Sequence, residues 1–182
     1  FKIISHIAKK RSYRYVRLSG GEPTISKSHI LELIKYFEEE GLTFILETNG
    51  ILIGHDPTYA KELANYTNII VRVSFKGTTK DEFHILTGAL PEFYELQFRA
   101  LENLINAGLS AGKDVYPAAM IGFSSNTNIA NFVRKLIEID KRFMDVDWEY
   151  VFLYPHVEER LKKLGLNPLR AVKPDKIPRS MI

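Results

Sequence analysis

The sequence predicts an α/β protein whose sheet contains about five parallel strands. Short runs rich in β-branched and aromatic residues alternate with amphipathic stretches of helical period, and this strand–loop–helix unit recurs five times. Strands that are separated by helices pair in parallel through right-handed crossovers. The chain has 182 residues, of which 45% are hydrophobic and 26% are charged, so it suits one buried core and excludes a disordered or collagen-like protein.

The individual elements follow from local patterns. A helix is predicted at residues 2–10, because its apolar residues share one side and Lys9 and Lys10 lie in the last turn, where cations suit the helix dipole. Apolar runs bounded by turn residues predict strands at 13–18, 42–47, 69–75, 115–122 and 147–154. Capping residues and closing glycines predict helices at 26–40, 57–66, 79–87, 91–107, 126–141 and 158–164.

Two architectures fit this order of elements, an open doubly wound sheet and part of a (β/α) barrel. A full eight-fold barrel needs about 250 residues, so the sequence favours a partial (β/α) barrel over residues 1–166 that lacks its first strand. The segment 167–182 is rich in proline and is predicted to be an irregular tail. Because residue 1 is Phe and the first methionine is Met120, we expect the translated product to be longer.

The composition excludes several classes of chemistry. The chain has no cysteine, which rules out disulfides, thiolate zinc sites, a cysteine nucleophile and a cysteine-ligated iron–sulfur cluster within these residues. A net charge of +3 is too small to demand a nucleic-acid partner, although it does not exclude one. No apolar stretch reaches 18 residues and the start does not resemble a signal peptide, so we expect a cytoplasmic protein without a membrane span.

Unusual residues follow the predicted strands, and ligands of both architectures bind at the carboxyl ends of the strands. In the loop Gly20-Gly21-Glu22-Pro23, the two glycines allow the backbone to approach a ligand closely, Glu22 can accept hydrogen bonds from an ammonium group, and Pro23 fixes the exit. A tight turn without a ligand is an equally good explanation of this loop taken alone.

Three further strand ends carry candidate residues. Glu47 precedes Thr48 and Asn49 and ends a buried strand, where a cation, an ammonium group or a pair of ribose hydroxyls would satisfy its carboxylate, although Asn-Gly is also a common turn. Lys76 could form a salt bridge to Glu47, bind a carboxylate or serve as a Schiff-base amine. His156 lies at the expected mouth of the barrel, unlike the other four histidines.

These motifs resemble those of radical S-adenosylmethionine (SAM) enzymes. Residues 15–50, YVRLSGGEPTISKSHILELIKYFEEEGLTFILETNG, are similar to the second and third βα units of that family, including its Gly-Gly-Glu-Pro motif and an acidic-Thr-Asn-Gly strand end. Within the family, the chain most resembles the glycyl-radical-enzyme activases, the group of the pyruvate formate-lyase activating enzyme. Lys76 matches the lysine of their Asp-x-Lys strand end, and Tyr154-Pro155-His156 and Leu164-Gly165 resemble later motifs.

Three positions depart from the activase pattern. Ser74 stands where activases have aspartate, which weakens the case for a cation site built with Glu47. Tyr154 and Pro155 occur in swapped order, which weakens the carry-over of an adenosine-side role to His156. The Cys-x3-Cys-x2-Cys loop that precedes the first helix in the family is absent, and we expect it upstream of Phe1.

The resemblance implies an enzyme that binds SAM and a 4Fe-4S cluster and reductively cleaves SAM to a 5′-deoxyadenosyl radical, which abstracts hydrogen from a substrate. The Gly-Gly-Glu loop would contact the amino group, Lys76 the carboxylate, the Glu47 loop the ribose or a cation, and His156 the adenosine. The implied cofactor-binding residues are Gly20, Gly21, Glu22, Pro23, Glu47, Thr48, Asn49, Lys76 and His156. The resemblance assigns no catalytic residue and no metal ligand in this chain, so the 182 residues alone are expected to be inactive.

The implied partners are an electron donor such as flavodoxin or ferredoxin and a substrate that could be the glycine of a glycyl radical enzyme, a small molecule or an RNA base. A dimer through the exposed edge of the strand at 13–18 is also expected. Two other classes stay open at this point. One is a class I aldolase-like barrel in which Lys76 forms a Schiff base, and the other is a binding protein without catalysis.

Overall fold

The sheet consists of five parallel strands that lie side by side in chain order. The structure is a computed structural model, and it describes residues 1–176. The strands of this sheet are β1 (Tyr15–Leu18), β2 (Thr43–Thr48), β3 (Ile69–Lys76), β4 (Val115–Met120) and β5 (Asp147–Glu149). A doubly wound sheet reverses its strand order at a switch point, whereas this sheet runs in one direction and curls into a half-barrel. The predicted partial (β/α) barrel is therefore confirmed.

Helices follow the strands and cover one face of the sheet. The helices are α1 (Lys2–Lys10), α2 (Lys27–Glu39), α3 (Ile51–His55), α4 (Pro57–Leu63), α5 (Lys80–Thr87), α6 (Tyr94–Asn106), α7 (Asn126–Ile139) and α8 (Pro155–Leu164). The sequence did not predict α3, because five residues are too few to show a helical period. Its place depends on packing, since a Cβ on Gly54 would lie 1.9 Å from the carbonyl oxygen of Leu96 on α6.

The two faces of the sheet differ in chemistry. The face toward the helices is apolar, and Leu46, Val71, Val73 and Phe75 are fully buried there. Alternate residues point to the opposite face, which we call the inner face. Its charged residues are Arg17, Glu47, Arg72, Lys76, Asp147 and Glu149. A strand such as β3, with the sequence IIVRVSFK, therefore supplies both core and site.

The fifth strand was predicted as one element at 147–154, and this predicted length is wrong. It divides into β5 and β6 (Val151–Phe152), and β6 pairs with β7 (Ala171–Val172) in a separate two-stranded sheet. The backbone N–H groups of Leu169 and Arg170 donate to the carbonyl oxygen of Gly122, at 2.7 and 2.9 Å, so the tail occupies the space beyond β4. The tail predicted to be irregular thus contains one short strand, and its residues 177–182 lie outside the described residues.

Among residues 1–176, no strand pairs with the outer edge of β1. An apolar groove of about 440 Å³ lies between this edge, α1 and α2, and its lining includes Ile4, Ile7, Tyr15 and Leu33. The dimer expected at this edge stays a prediction. The described part of the chain contains no helix that is long and apolar enough to cross a membrane.

Candidate functional site

A cavity of about 300 Å³ opens at the carboxyl ends of β1, β2 and β3 and extends to β5. Its lining residues are Arg17, Gly20, Gly21, Glu22, Glu47, Thr48, Asn49, Arg72, Ser74, Lys76 and Glu149. Seven of the nine residues predicted to bind the cofactor are in this lining, and the exceptions are Pro23 and His156. The fold thus brings together three loops that are up to 56 residues apart in the chain, from Gly20 to Lys76.

The glycine loop after β1 leaves its backbone open to the cavity. Gly20 and Gly21 have φ of +95° and +60°, a conformation that side chains disfavour. A Cβ on either residue would meet nothing within 4 Å, so open space surrounds this stretch of main chain. Its peptide groups are therefore open to the cavity, and their contact with a ligand stays a prediction.

Glu22 joins the glycine loop to the end of β2. Its Oε1 accepts hydrogen bonds from the backbone N–H of Thr24 at 3.1 Å, from the Thr24 hydroxyl, and from the Thr48 hydroxyl at 2.7 Å. Its Oε2 accepts from the backbone N–H of Asn49 at 2.6 Å. A carboxylate has about four lone-pair sites, two on each oxygen, so Oε2 retains capacity for a further donor such as an ammonium group. The carboxylate has a structural task in addition to any ligand contact.

The turn after β2 is fixed by its own side chains and by a residue that the sequence analysis missed. The Thr48 hydroxyl accepts from the N–H of Gly50 at 3.0 Å, and Asn49 Oδ1 accepts from the N–H of Ile51 at 2.9 Å. Gln97 on α6 is fully buried, and its Nε2 donates to the carbonyl oxygens of Asn49 and Ser74 at 2.8 and 3.0 Å. The sequence feature that could have identified Gln97 is its polar amide within the apolar stripe of a predicted helix.

Glu47 and Lys76 each have a protein partner, but they do not pair with each other. Glu47 accepts hydrogen bonds from Arg17 and from Arg72, the latter at 2.9 Å. Lys76 Nζ instead donates to Glu149 Oε2 at 2.8 Å and to the Ser74 hydroxyl at 2.9 Å. Of the three roles considered for Lys76, the salt bridge to Glu47 is therefore absent among the described residues, because Glu149 reaches Lys76 from β5.

Arg72 is the centre of the charge network on the inner face, and the sequence analysis missed it. It is 5% exposed and donates to Asp147 at 2.8 Å, to Glu47 at 2.9 Å and to Glu149 at 2.7 Å. Burial disfavours its charge, but the bonds to Glu149 and Asp147 outweigh burial and hold the pKa of Arg72 above its ordinary value. The sequence feature that could have identified Arg72 is its charge inside an apolar strand, where an unpaired charge would be costly.

Strand β4 lies between the cations of β3 and the carboxylates of β5. In register, Ala118 lies between Ser74 on β3 and Asp147 on β5, and Met120 lies between Lys76 and Glu149. The side chains of Arg72 and Lys76 therefore cross over β4 to reach carboxylates two strands away.

Two of the predicted site residues, Pro23 and His156, lie outside the cavity. Pro23 begins a short 3-10 turn that leads toward α2, which fits the predicted fixing of the loop's exit. His156 is exposed in the first turn of α8, and its ring stacks on Tyr154 with the centroids 5.8 Å apart and an interplanar angle of 12°. Its place near an adenosine stays a prediction.

The cavity fits one of the two expected cofactors. Its three basic residues, its exposed main chain and the available oxygen of Glu22 match the carboxylate and amino groups of SAM. An iron–sulfur cluster does not fit the residues present, because the chain has no cysteine. The described residues also contain no group of three or more His, Cys, Asp or Glu placed to hold a metal ion.

Comparison with known proteins shows the family of the chain. The family model of the radical SAM superfamily matches residues 1–121, and the chain belongs to that superfamily. This membership supplies no support for the Schiff-base alternative, and the Lys76 amine is engaged in an ion pair with Glu149.

Relatives of different activities resemble parts of the chain. The mycofactocin maturase MftC of Mycolicibacterium smegmatis is 33% identical over 99 residues, which are 54% of this chain and 24% of the maturase. The Fe-coproporphyrin III synthase of Methanosarcina barkeri is 35% identical over 99 residues, which are 53% of this chain and 23% of the synthase. A probable GTP 3′,8-cyclase of Saccharolobus islandicus is 24% identical over 154 residues, or 84% of this chain and 46% of the cyclase.

A solved structure shares the fold. The crystal structure of archaeal TYW1 superposes with a TM-score of 0.53 and 21% identity, and the match covers 76% of this chain and 46% of that one. At this identity the likeness concerns the fold alone. The chain spans between about a quarter and about half of the length of the relatives that it matches.

Proposed function

We propose that this chain forms the SAM-binding wall of a radical SAM enzyme. The observation that carries the proposal is the cavity at the carboxyl ends of the strands, where seven separately predicted residues come together. The superfamily match over residues 1–121 supports the same cofactor. The activity, substrate and partners of the whole protein are part of this proposal, because the chain spans only part of its relatives.

The residues divide into three binding regions. The main chain of Gly20 and Gly21 and the available oxygen of Glu22 receive the amino group. Lys76 receives the carboxylate, since one of its three N–H donors has no partner among the described residues. Glu47 and Asn49 face the remaining volume and provide acceptors for ribose hydroxyls. When bound, SAM supplies a 5′-deoxyadenosyl radical that abstracts hydrogen from a substrate.

The electron for that chemistry has to come from outside these residues. We propose that cysteines elsewhere in the full-length protein ligate a 4Fe-4S cluster and that flavodoxin or ferredoxin reduces it. The activase subtype is a finer proposal, which rests on Lys76 at the end of β3 and on the resemblance of Leu164-Gly165 to a later activase motif. The relatives reported above are a maturase, a synthase and a cyclase, and they provide no support for that subtype.

Isothermal titration calorimetry of the purified chain with SAM tests the cofactor site. Lys76→Met is expected to weaken the binding of SAM by about tenfold, since it removes a charge-assisted hydrogen bond. The same variant is expected to leave the binding of 5′-methylthioadenosine, which lacks the amino acid moiety, unchanged. Lys80→Met is the matched control, because Lys80 is a similarly exposed lysine that pairs with Glu95 outside the cavity.

Two outcomes would contradict the proposal. A wild-type chain that binds neither SAM nor 5′-methylthioadenosine would remove its basis. Equal losses in Lys76→Met and Lys80→Met would show that general charge, and not this cavity, attracts the ligand. For the full-length gene product, reconstituted under anaerobic conditions, formation of 5′-deoxyadenosine from SAM is the expected activity.

A further inference from the structure

Lys76 is a cation of the cavity that a ligand can reach, and it already has a protein partner. Its side chain is 45% exposed, whereas that of Arg72 is 6% exposed. Its Nζ is held by the Ser74 hydroxyl at 2.9 Å and by Glu149 Oε2 at 2.8 Å. A ligand carboxylate that binds Lys76 therefore arrives next to a protein carboxylate.

Glu149 is held in this position from a second side. Its Oε1 accepts from Arg72 at 2.7 Å while its Oε2 accepts from Lys76, so each oxygen is assigned to one cation. Glu149 lies at the end of β5, in register with Met120, which in turn is in register with Lys76. This arrangement fixes a negative charge at the cavity wall within direct contact of the lysine.

The charges that line the cavity are balanced. Arg17, Arg72 and Lys76 face the three carboxylates of Glu22, Glu47 and Glu149. An anionic group therefore gains little from the net charge of the cavity, and its affinity depends on how far one cation is available to it. For Lys76, that availability is set by Glu149, because the Ser74 hydroxyl is neutral.

We infer that Glu149 is a specificity-determining residue that competes with the ligand carboxylate for Lys76 and sets how strongly this part of the site binds carboxylates. The inference rests on the proposed function, and it adds a residue from β5 that the sequence motifs do not mark. Glu149→Gln keeps an oxygen that accepts from Arg72 or Lys76 but removes the charge. The variant is expected to bind a carboxylate at Lys76 more tightly than the wild type does.

The test compares two ligands by isothermal titration calorimetry at low ionic strength. Glu149→Gln is expected to bind SAM about fivefold more tightly than the wild type. The substitution removes the negative charge that repels the SAM carboxylate beside Lys76, and salt screens this repulsion only in part. The affinity for 5′-methylthioadenosine, which carries no carboxylate, is expected to stay within twofold of the wild type. High salt is expected to reduce the gain in SAM affinity.

Asp147→Asn is the matched control. It removes the same charge from another partner of Arg72 on β5, but Asp147 does not contact Lys76 and does not line the cavity. This variant is expected to bind both ligands as the wild type does. Glu149→Asp is a second probe, because it keeps the negative charge and withdraws the carboxylate from its two cations by one methylene. An intermediate gain in SAM affinity is expected, and circular dichroism checks that each variant is folded.

The outcomes separate this inference from the proposed function. If the wild type binds SAM and Glu149→Gln binds it no more tightly, the inference is overturned and the proposed function stands. An equal gain for SAM and 5′-methylthioadenosine also overturns it, since the effect would then not involve the carboxylate. If the wild type binds neither ligand, the proposed function fails and the inference fails with it.

Discussion

Glu22→Gln is the substitution that most directly tests how the candidate site is held together. The carboxylate of Glu22 accepts from two donors of Thr24, from the Thr48 hydroxyl and from the N–H of Asn49. Hydroxyl donors can rotate and become acceptors, but the N–H groups of Thr24 and Asn49 cannot. Since these two N–H groups contact opposite oxygens of Glu22, either orientation of the glutamine amide places its NH₂ against one of them.

The magnitude follows from that single lost bond. A hydrogen bond to a charged group contributes about 1.5–3 kcal/mol, and Glu22 is only partly buried, so we expect a loss of about 2 kcal/mol in the free energy of unfolding. For a chain of this size, that loss lowers Tm by roughly 4–8 °C. Urea titration monitored by the fluorescence of Trp148, the single tryptophan, measures it.

A matched control and a double-mutant cycle make this prediction specific. Glu32→Gln removes the same charge from an exposed position on α2 and is expected to change stability by less than about 0.5 kcal/mol. Combining Glu22→Gln with Thr48→Val is expected to show a coupling of about 1 kcal/mol, because the two side chains share one hydrogen bond. A Glu22→Gln variant as stable as Glu32→Gln would refute the conclusion that this carboxylate joins the two loops.

Three further predictions concern stability and are measured by urea denaturation. Gly54→Ala is expected to cost more than about 3 kcal/mol, since its Cβ would meet the carbonyl oxygen of Leu96, whereas Gly41→Ala, at a φ of +70° with open space around it, is expected to cost about 1 kcal/mol. Arg72→Met is expected to cost about 3–5 kcal/mol, because it leaves three carboxylates near one another without their shared cation, and a loss below 1 kcal/mol would contradict a central role for the arginine. Burial raises the pKa of Glu149, but the hydrogen bonds and charges of Lys76 and Arg72 outweigh burial and hold this pKa below its ordinary value of 4.5. The ion pairs of Glu149 therefore stabilise the fold fully above pH 4.5, and this stabilisation is lost as the pH falls through the lower pKa of the folded state. The difference in the free energy of unfolding between the wild type and the less stable Glu149→Gln is therefore expected to narrow from about pH 6 to about pH 3. A difference that stays constant with pH would argue against the ion pairs.

Most of the predicted strands and helices were found because their signals are local. The Gly20-Gly21-Glu22-Pro23 loop and the Glu47-Thr48-Asn49 turn each follow an apolar run, and turn residues at such a point mark a strand end regardless of the rest of the fold. The helix α3 and the division of the fifth strand were missed, since α3 depends on contact with α6 and β6 depends on pairing with the tail.

The partners of the charged residues were the least predictable part of the site. Lys76 was correctly placed at a strand end, but Glu47, one of three partners considered for it, pairs with Arg72 instead, and Arg72, Gln97 and Glu149 were missed. A sequence pattern states which face of a strand a residue occupies, and it does not state which residue two strands away is close enough to pair.

The sequence by itself determined the fold class, the direction of the strands and most of the loop residues that line the cavity, because periodicity, capping and turn chemistry act within a few residues of the chain. Only the tertiary structure decided how the charges on the inner face are paired. The register of the sheet places Lys76 and Glu149 on either side of Met120, so Glu149 meets Lys76 across 73 residues of sequence. Electrostatic pairing depends on distance in space, and folding alone sets that distance.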